Sequence, residues 1–137
     1  MPHLTLEYSA NLVDDPAFSA CVDVKALCRE LAACLTGIQD AGRPVYPIGG
    51  IRVRAFAAQA YCIADGAADA AFLHGTLRIG AGRSDAIRKA TGDALFNLIK
   101  AQLAPLYEKT GLALSLEIIE SSEAASWKHN NLHARFR

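Results

Sequence analysis

The sequence has no excess of charge of either sign and no long apolar segment. Its 137 residues include 14 Lys and Arg against 14 Asp and Glu, so the formal net charge is zero. A neutral chain has little electrostatic attraction for nucleic acid or for an anionic membrane. No apolar run reaches the roughly 18 residues of a membrane span. The first residues also lack the basic start and apolar stretch of a signal peptide. We therefore expect a cytoplasmic protein that binds neither nucleic acid nor membrane.

The cysteines and histidines form no metal-binding pattern. The cysteine spacings match no zinc motif, and three of the four cysteines lie in one apolar helical segment. In a reducing cytoplasm we expect them to be small, buried, apolar residues. His129 and His133 are four residues apart, but the sequence places no third ligand near them. We predict no metal site. The cysteines are Cys21, Cys28, Cys34 and Cys62.

The composition is that of a compact globular protein. Hydrophobic residues make up 52% of the chain and charged residues 20%, which argues for a buried core and against disorder. At this length we predict a single domain over residues 1–137.

The first half of the chain predicts one strand–helix–strand unit, at about residues 2–60. Apolar and polar residues alternate over residues 3–8, as in a strand. After a loop, Asp23 is placed to cap a helix that Gly37 ends. A second strand follows at residues 50–56.

The second half repeats this order at about residues 71–120. A strand at residues 72–79 leads through a glycine-containing loop to Ser84, which is a suitable N-cap for a long helix. A last strand is predicted at residues 112–119. Each unit has the length of a right-handed crossover between parallel strands.

The pattern therefore predicts an α/β (α+β) fold with a four-stranded sheet and two helices on one face. The other face should be partly apolar and covered by other copies of the chain, so we expect an oligomer. Residues 56–70, between the units, predict a hairpin or short strand with a turn near Asp65 and Gly66. The polar tail, residues 120–137, has three candidate anchors. They are Trp127, Leu132 and Phe136.

Three motifs and the duplicated unit resemble one protein family. The motifs are the opening Met-Pro-His, the Gly-Ile-Arg-Val-Arg of residues 50–54 and the Ile-Gly-Ala-Gly-Arg-Ser of residues 79–84. In order and spacing over most of the chain, including the ending Asn-Asn-Leu-His-Ala-Arg-Phe, they resemble the 5-carboxymethyl-2-hydroxymuconate isomerases of the tautomerase superfamily. The resemblance implies a homotrimer whose strand–helix–strand units form a pseudo-sixfold barrel. It implies that no metal or organic cofactor is needed.

The two halves differ in the site residues that they carry. In smaller members of the superfamily, such as 4-oxalocrotonate tautomerase, one unit carries the proline and both arginines. Aligning the halves of this chain by their helix-start loops places Pro2 on Leu73 and Leu12 on Arg83, and aligning the second strands places Arg52 opposite Glu117. A complete site therefore needs both units, from one chain or from neighbouring subunits. A trimer would have three sites.

Pro2 is the candidate general base. Removal of Met1 would expose a secondary amine, whereas the Pro2 nitrogen is an amide without a basic lone pair while Met1 remains. Free α-amines titrate near pH 8. Burial and nearby arginines would have to lower the pKa of the Pro2 amine for it to act at neutral pH. A proline can also simply begin a strand, but the other motifs favour the catalytic role.

The arginines are the candidate substrate-binding residues. Arg83 lies at a helix start, where the helix dipole disfavours a cation unless an anion binds there. The resemblance implies that Arg83 clamps a substrate carboxylate. It also implies that Arg52 binds the 2-oxo or 2-hydroxy oxygen and the adjacent carboxylate. Arg54 alternates onto the same strand face and stays open as a second anion contact. Glu7 and Glu117 are expected to pair with these arginines.

The resemblance implies a 1,3-type proton shift in an unsaturated dicarboxylate or tricarboxylate, in the catabolism of the aromatic acid homoprotocatechuate. Neutral Pro2 would take the 2-hydroxyl proton of a dienol and return a proton at a distant carbon. Two alternatives stay open. One is a related tautomerase, dehalogenase or decarboxylase that acts on another 2-oxo acid, because the loop at residues 42–46 is longer than expected. The other is a non-catalytic trimer with a binding role.

Overall fold

The computed structural model describes residues 1–67 and 69–136. The predicted connection 56–70 and the predicted tail 120–137 each include one residue outside this description, Ala68 and Arg137. The strands are β1 (His3–Ser9), β2 (Gln39–Asp40), β3 (Arg43–Pro44), β4 (Arg52–Ala58), β5 (Ala70–Gly80) and β6 (Gly111–Ser121). The helices are α1 (Asn11–Asp14), α2 (Pro16–Ser19), α3 (Val24–Gly37), α4 (Asp85–Tyr107) and α5 (Leu132–Arg135), with 3-10 turns at Ile48–Gly50 and Glu123–Ala125.

The long strands form one mixed sheet in the order β4-β1-β5-β6. The β1–β4 and β5–β6 pairs are parallel, and the central β1–β5 pair is antiparallel. Each parallel pair is joined through one long helix, α3 or α4. The predicted tandem β-α-β repeat and four-stranded sheet are confirmed.

A pseudo-twofold axis relates the two units. Thr5 pairs with Thr76, and these residues are 71 positions apart, which is the displacement that aligns Pro2 with Leu73. The predicted counterpart of Arg52 is wrong. His3 pairs with Arg52, whereas His74, 71 positions further on, pairs with Ser115 and not with Glu117. The sequence misses this register because the loops that precede β4 and β6 differ in length.

Both long helices begin where the sequence predicts. The Asp23 carboxylate accepts a hydrogen bond from the Ala26 amide at 2.9 Å, and the Ser84 hydroxyl accepts one from the Ile87 amide at 3.2 Å. Both helices pack on the same face of the sheet and share one apolar core with it. Its fully or almost fully buried side chains include Leu4, Leu6, Leu27, Leu31, Leu35, Leu73, Leu77, Leu95, Ile99 and Leu103. Burial of each side chain stabilises the fold by roughly 1.5–3 kcal/mol. Leu4 and Leu6 belong to this core, so the first residues of β1 are held against the helices.

The helix-free face of the sheet is more polar than predicted. This face carries His74, whose Nδ1 lies 2.7 Å from the Ser115 hydroxyl and whose Nε2 lies 3.4 Å from the Glu117 carboxylate. Glu117 is therefore a partner of His74, and the expected pairing of Glu117 with an arginine is wrong. The apolar part of this face includes Phe56, whose side chain is 56% exposed.

The connecting segments differ from the sequence expectation in several places. The stretch between β1 and α3 folds into α1 and α2, and β4 begins at Arg52 because a 3-10 turn occupies Ile48–Gly50. The predicted turn near Asp65 is confirmed. Gly66 has φ +78°, and its amide donates to the Ile63 carbonyl at 2.9 Å.

Two burial predictions are wrong. Cys62 is exposed, whereas the other three cysteines are half-buried and pack against the core. In the tail, Trp127 is 88% and Phe136 is 53% exposed, so Leu132 is the anchor that is half-buried. No helix among the described residues is long and apolar enough to cross a membrane. In the same part of the chain, no three His, Cys, Asp or Glu side chains lie close enough together to hold a metal ion.

Candidate active site

Pro2 lies buried at the start of β1, between the two neighbouring strands of the sheet. Its carbonyl oxygen accepts a hydrogen bond from the Arg52 amide at 3.0 Å. This bond extends the parallel β1–β4 ladder by one step and holds Pro2 in register with Arg52. The sheet therefore brings together two residues that are fifty positions apart in the chain.

The side chains of Arg52 and Arg54 leave β4 on the same face but reach different partners. Arg52 is half-buried, and its Nη1 donates to the carbonyl oxygens of Gly49 at 3.0 Å and Ile51 at 3.2 Å. Arg54 is exposed, and its Nη1 lies 3.4 Å from Nδ1 of His3. The guanidinium of Arg52 is thus fixed by backbone, whereas that of Arg54 lies over the open sheet face.

Three contacts hold the guanidinium of Arg83 in place. Its Nη1 donates to the Gly80 carbonyl at 2.9 Å, and its Nη2 donates to the Val45 carbonyl at 3.2 Å. The guanidinium carbon lies 4.9 Å from the ring centroid of Tyr46, a cation–π distance. Tyr46 is buried, and its hydroxyl is hydrogen-bonded to Thr91 of α4 at 3.0 Å. Val45 and Tyr46, which follow β3, therefore supply two of the three contacts that hold Arg83.

The terminal amine of the chain lies in a cationic environment. Burial lowers the pKa of the Met1 amine, and the charges of Lys128, Arg83 and Arg52 lower it further. Arg52 comes from the first β-α-β unit and Arg83 from the second, so side chains of both units of one chain lower the pKa at its own N-terminus. The pKa of His3 is also lowered, first by burial and then by Arg54 and Arg52.

The C-terminal segment packs against the same end of the sheet, which sequence reasoning did not anticipate. Asn130 Nδ2 donates to the Gly49 carbonyl at 3.1 Å and lies 3.3 Å from the sulfur of Met1. The C-terminal segment can approach the backbone of Gly49 this closely because Gly49 has no side chain. A Cβ there would lie 2.7 Å from the backbone nitrogen of His133. The only sequence signal for this contact is the ending motif that contributes to the family resemblance.

A cleft of about 170 Å³ opens beside the terminal amine. Its walls carry cationic groups, hydroxyls and one aromatic ring. The lining residues are Met1, His3, Arg78, Gly80, Ser121, Ser126, Trp127 and Lys128. An amine of lowered pKa beside cationic side chains is suited to bind a small polyanion and to exchange a proton with it.

Comparisons with known proteins show which family the chain resembles. The family model of 5-carboxymethyl-2-hydroxymuconate isomerase matches residues 2–136. The 5-carboxymethyl-2-hydroxymuconate Delta-isomerase of Escherichia coli is 38% identical over 137 residues, which cover 100% of both chains. The crystal structure of a 5-carboxymethyl-2-hydroxymuconate isomerase from Deinococcus radiodurans R1 has a TM-score of 0.84 at 43% identity, over 99% of this chain and 94% of that one. A crystal structure of 5-carboxymethyl-2-hydroxymuconate delta-isomerase has a TM-score of 0.88 at 38% identity, over 100% of this chain and 93% of that one.

Proposed function

The chain belongs to the 5-carboxymethyl-2-hydroxymuconate isomerase family and is an isomerase, and from this premise we propose that it ketonises 5-carboxymethyl-2-hydroxymuconate with the Pro2 amine as its base. The observation that carries the proposal is the backbone pairing of Pro2 with Arg52. The pKa of the Met1 amine at the same N-terminus is lowered by burial and by the charges of Lys128, Arg83 and Arg52. Family membership makes a non-catalytic binding role the weaker alternative. The fixed cations favour a substrate with several carboxylates.

The proposed base requires removal of Met1, because only then is the Pro2 nitrogen an amine. Met1 contacts Asn130 and lies close to Gly50, whose added Cβ would be 3.4 Å from the Met1 Cα. The space that Met1 fills is therefore the space next to the Pro2 nitrogen. We expect the reacting part of the substrate to occupy it in the processed enzyme.

The proposed reaction moves one proton from the 2-hydroxyl oxygen to C5, which is a 1,5-shift and not the 1,3-type shift that the family resemblance implies, and it changes no oxidation state. Neutral Pro2 removes the proton of the 2-hydroxyl group, and the O–H electron pair forms the C2 carbonyl. The two carbon–carbon double bonds of the substrate become one, between C3 and C4, and the Pro2 ammonium returns a proton to C5, where a C–H bond forms. A conjugated ketone results, and the amine is neutral again.

The proposed roles of the arginines follow from their supports. Arg52 is held by two backbone carbonyls close to Pro2, so its remaining donors can bind the oxygen that gains charge and the adjacent carboxylate. Arg83 is held by two carbonyls and the Tyr46 ring, and its planar fork suits a second carboxylate. Arg54 faces His3, so we assign it to the positive field of the site and not to direct contact.

We also propose a homotrimer. Strand β6 is an eleven-residue edge of the sheet, and long open edges favour pairing with another chain. A cleft of about 600 Å³ lies between this edge and α4, with the apolar side chains of Phe96, Leu116 and Ile118 in its walls. Light scattering after size exclusion should give the mass of three 14.6 kDa chains, and a monomer mass would overturn this part of the proposal.

The test of the activity is an ultraviolet assay of ketonisation on protein shown by intact mass to lack Met1. We expect turnover of 5-carboxymethyl-2-hydroxymuconate well above the buffer rate at matched pH. Turnover of other 2-hydroxydienoates only would retain the tautomerase chemistry and overturn the substrate. No turnover of any dienol by the processed protein would overturn the proposed function.

A further inference from the structure

The tail places a third cation, Lys128, beside the proposed base. Lys128 lies between two fixed points of the chain. On one side, β6 ends at Ser121. On the other side, the Asn130 side chain donates a hydrogen bond to the Gly49 carbonyl and accepts one from the Leu132 amide at 2.7 Å. Lys128 is exposed and lies two residues before this anchor, so its backbone is held at the wall of the cleft.

Lys128 lines the same cleft as Met1, together with the hydroxyl-bearing residues Ser121 and Ser126. Of the charged side chains that lower the pKa of the terminal amine, Lys128 has the largest effect, ahead of Arg83 and Arg52. Lys128 forms no ion pair within 4.0 Å among the described residues, and the ion pairs found there join other side chains. They are His74–Glu117, Arg88 with Asp85 and Glu120, and Lys89–Asp93.

The substrate of the proposed function carries three carboxylates, and the two arginines account for two of them. We propose that Lys128 binds the third carboxylate, which is that of the carboxymethyl substituent. Lys128 would thereby make the site selective for a tricarboxylate over a dicarboxylate. This inference rests on the proposed function. Arg78 also borders the cleft, but it projects from the exposed sheet face and faces His3.

The experiment compares two substrates that differ only in this group. They are 5-carboxymethyl-2-hydroxymuconate and 2-hydroxymuconate, assayed with wild type, Lys128→Met, Lys128→Arg and the control Lys25→Met. Methionine keeps the length of the side chain without its charge, and Lys25 is an exposed lysine on α3. Intact mass first establishes that each protein lacks Met1.

A charge-assisted hydrogen bond is worth about 10-fold or more in binding. We expect Lys128→Met to lower kcat/KM for the tricarboxylate by about 10-fold more than for the dicarboxylate, mainly through KM. Lys128→Arg should recover part of the loss, and Lys25→Met should match wild type.

Two outcomes would overturn the inference, and they are distinguishable from failure of the proposed function. With an active wild type, equal losses on the two substrates would show that Lys128 acts on the amine or on the common carboxylates alone. An unchanged Lys128→Met enzyme would show that this lysine contacts neither. A processed wild type that ketonises neither substrate would overturn the proposed function itself, and the ligand assigned to Lys128 with it.

Discussion

The Arg52 amide donates a 3.0 Å hydrogen bond to the carbonyl oxygen of Pro2. The proposed base and the residue proposed to stabilise the developing charge are thereby fixed to each other through backbone. Their relative position does not depend on either side chain. Substitutions of the Arg52 side chain can therefore test its charge and its fork of donors while the position of Pro2 is retained.

Arg52→Ala should lower kcat by about 100-fold or more, because a fixed donor to a developing oxyanion contributes on that scale. Arg52→Lys should recover only part of the rate, since an ammonium lacks the planar fork. Steady-state kinetics on processed protein measure both effects, with circular dichroism as the check on folding. A folded Arg52→Ala enzyme with wild-type kcat would remove Arg52 from the mechanism.

Pro2→Ala should lower kcat/KM by about 100-fold or more, within the usual range for general-base catalysis. Alanine also permits removal of Met1, so the variant keeps a terminal amine but loses the secondary amine and its rigid ring. The oligomeric mass should stay that of wild type, because the Arg52 amide still finds the carbonyl of residue 2. Wild-type turnover by Pro2→Ala would contradict the proline mechanism.

The sequence predicts the helices and strands well where local chemistry decides them. Asp23 and Ser84 cap the long helices as predicted, because an N-cap side chain bonds to amides only a few residues away. The counterpart of Arg52 was misplaced by two positions on β6. Register between distant strands depends on loop lengths and packing, and alternation alone cannot fix it.

The same distinction applies to the site. Pro2, Arg52 and Arg83 were found from short motifs, and the structure brings them to one end of one chain. Lys128 and Asn130 were missed because the tail has no periodic pattern and its contacts are with Gly49 and Met1, far away in the sequence. That contact depends on the absence of a side chain at Gly49, which becomes meaningful only once His133 is seen beside it.

The activity should depend on pH through the Pro2 amine. The base acts in its neutral form, so kcat/KM should rise as pH increases through the pKa of this amine. Burial and the charges of Lys128, Arg83 and Arg52 lower the pKa of the Met1 amine, and we expect them to act on the Pro2 amine in the same way. The midpoint should lie below that of a free Pro-His-Leu peptide in the same buffer.

Arg83→Ala should shift this midpoint to higher pH, because one of the charges that destabilise the ammonium form is lost. If Arg83 serves only as a carboxylate clamp, the variant should also raise KM with little change in the plateau kcat. The pH profiles of wild type, Arg83→Ala and the control Lys25→Met measure both effects. A midpoint that is the same in all three would contradict the electrostatic role of Arg83.

Gly49→Ala should displace the C-terminal segment from the 3-10 turn. The new Cβ would lie 2.7 Å from the His133 nitrogen, a backbone atom that cannot move alone. Limited trypsin digestion should then cut after Lys128 faster than in wild type, and KM for the substrate should rise. Gly37→Ala is the matched control, since a Cβ there meets nothing within 4 Å. Equal digestion rates for the two variants would show that the segment is not held at Gly49.

The most direct test of the account is the rate of ketonisation by two forms of the same chain, with and without Met1. Intact mass identifies each form, and circular dichroism checks that both are folded. We predict that the form retaining Met1 has less than about a hundredth of the activity of the processed form, because its Pro2 nitrogen is an amide. Equal rates for the two forms would show that the Pro2 amine is not the base.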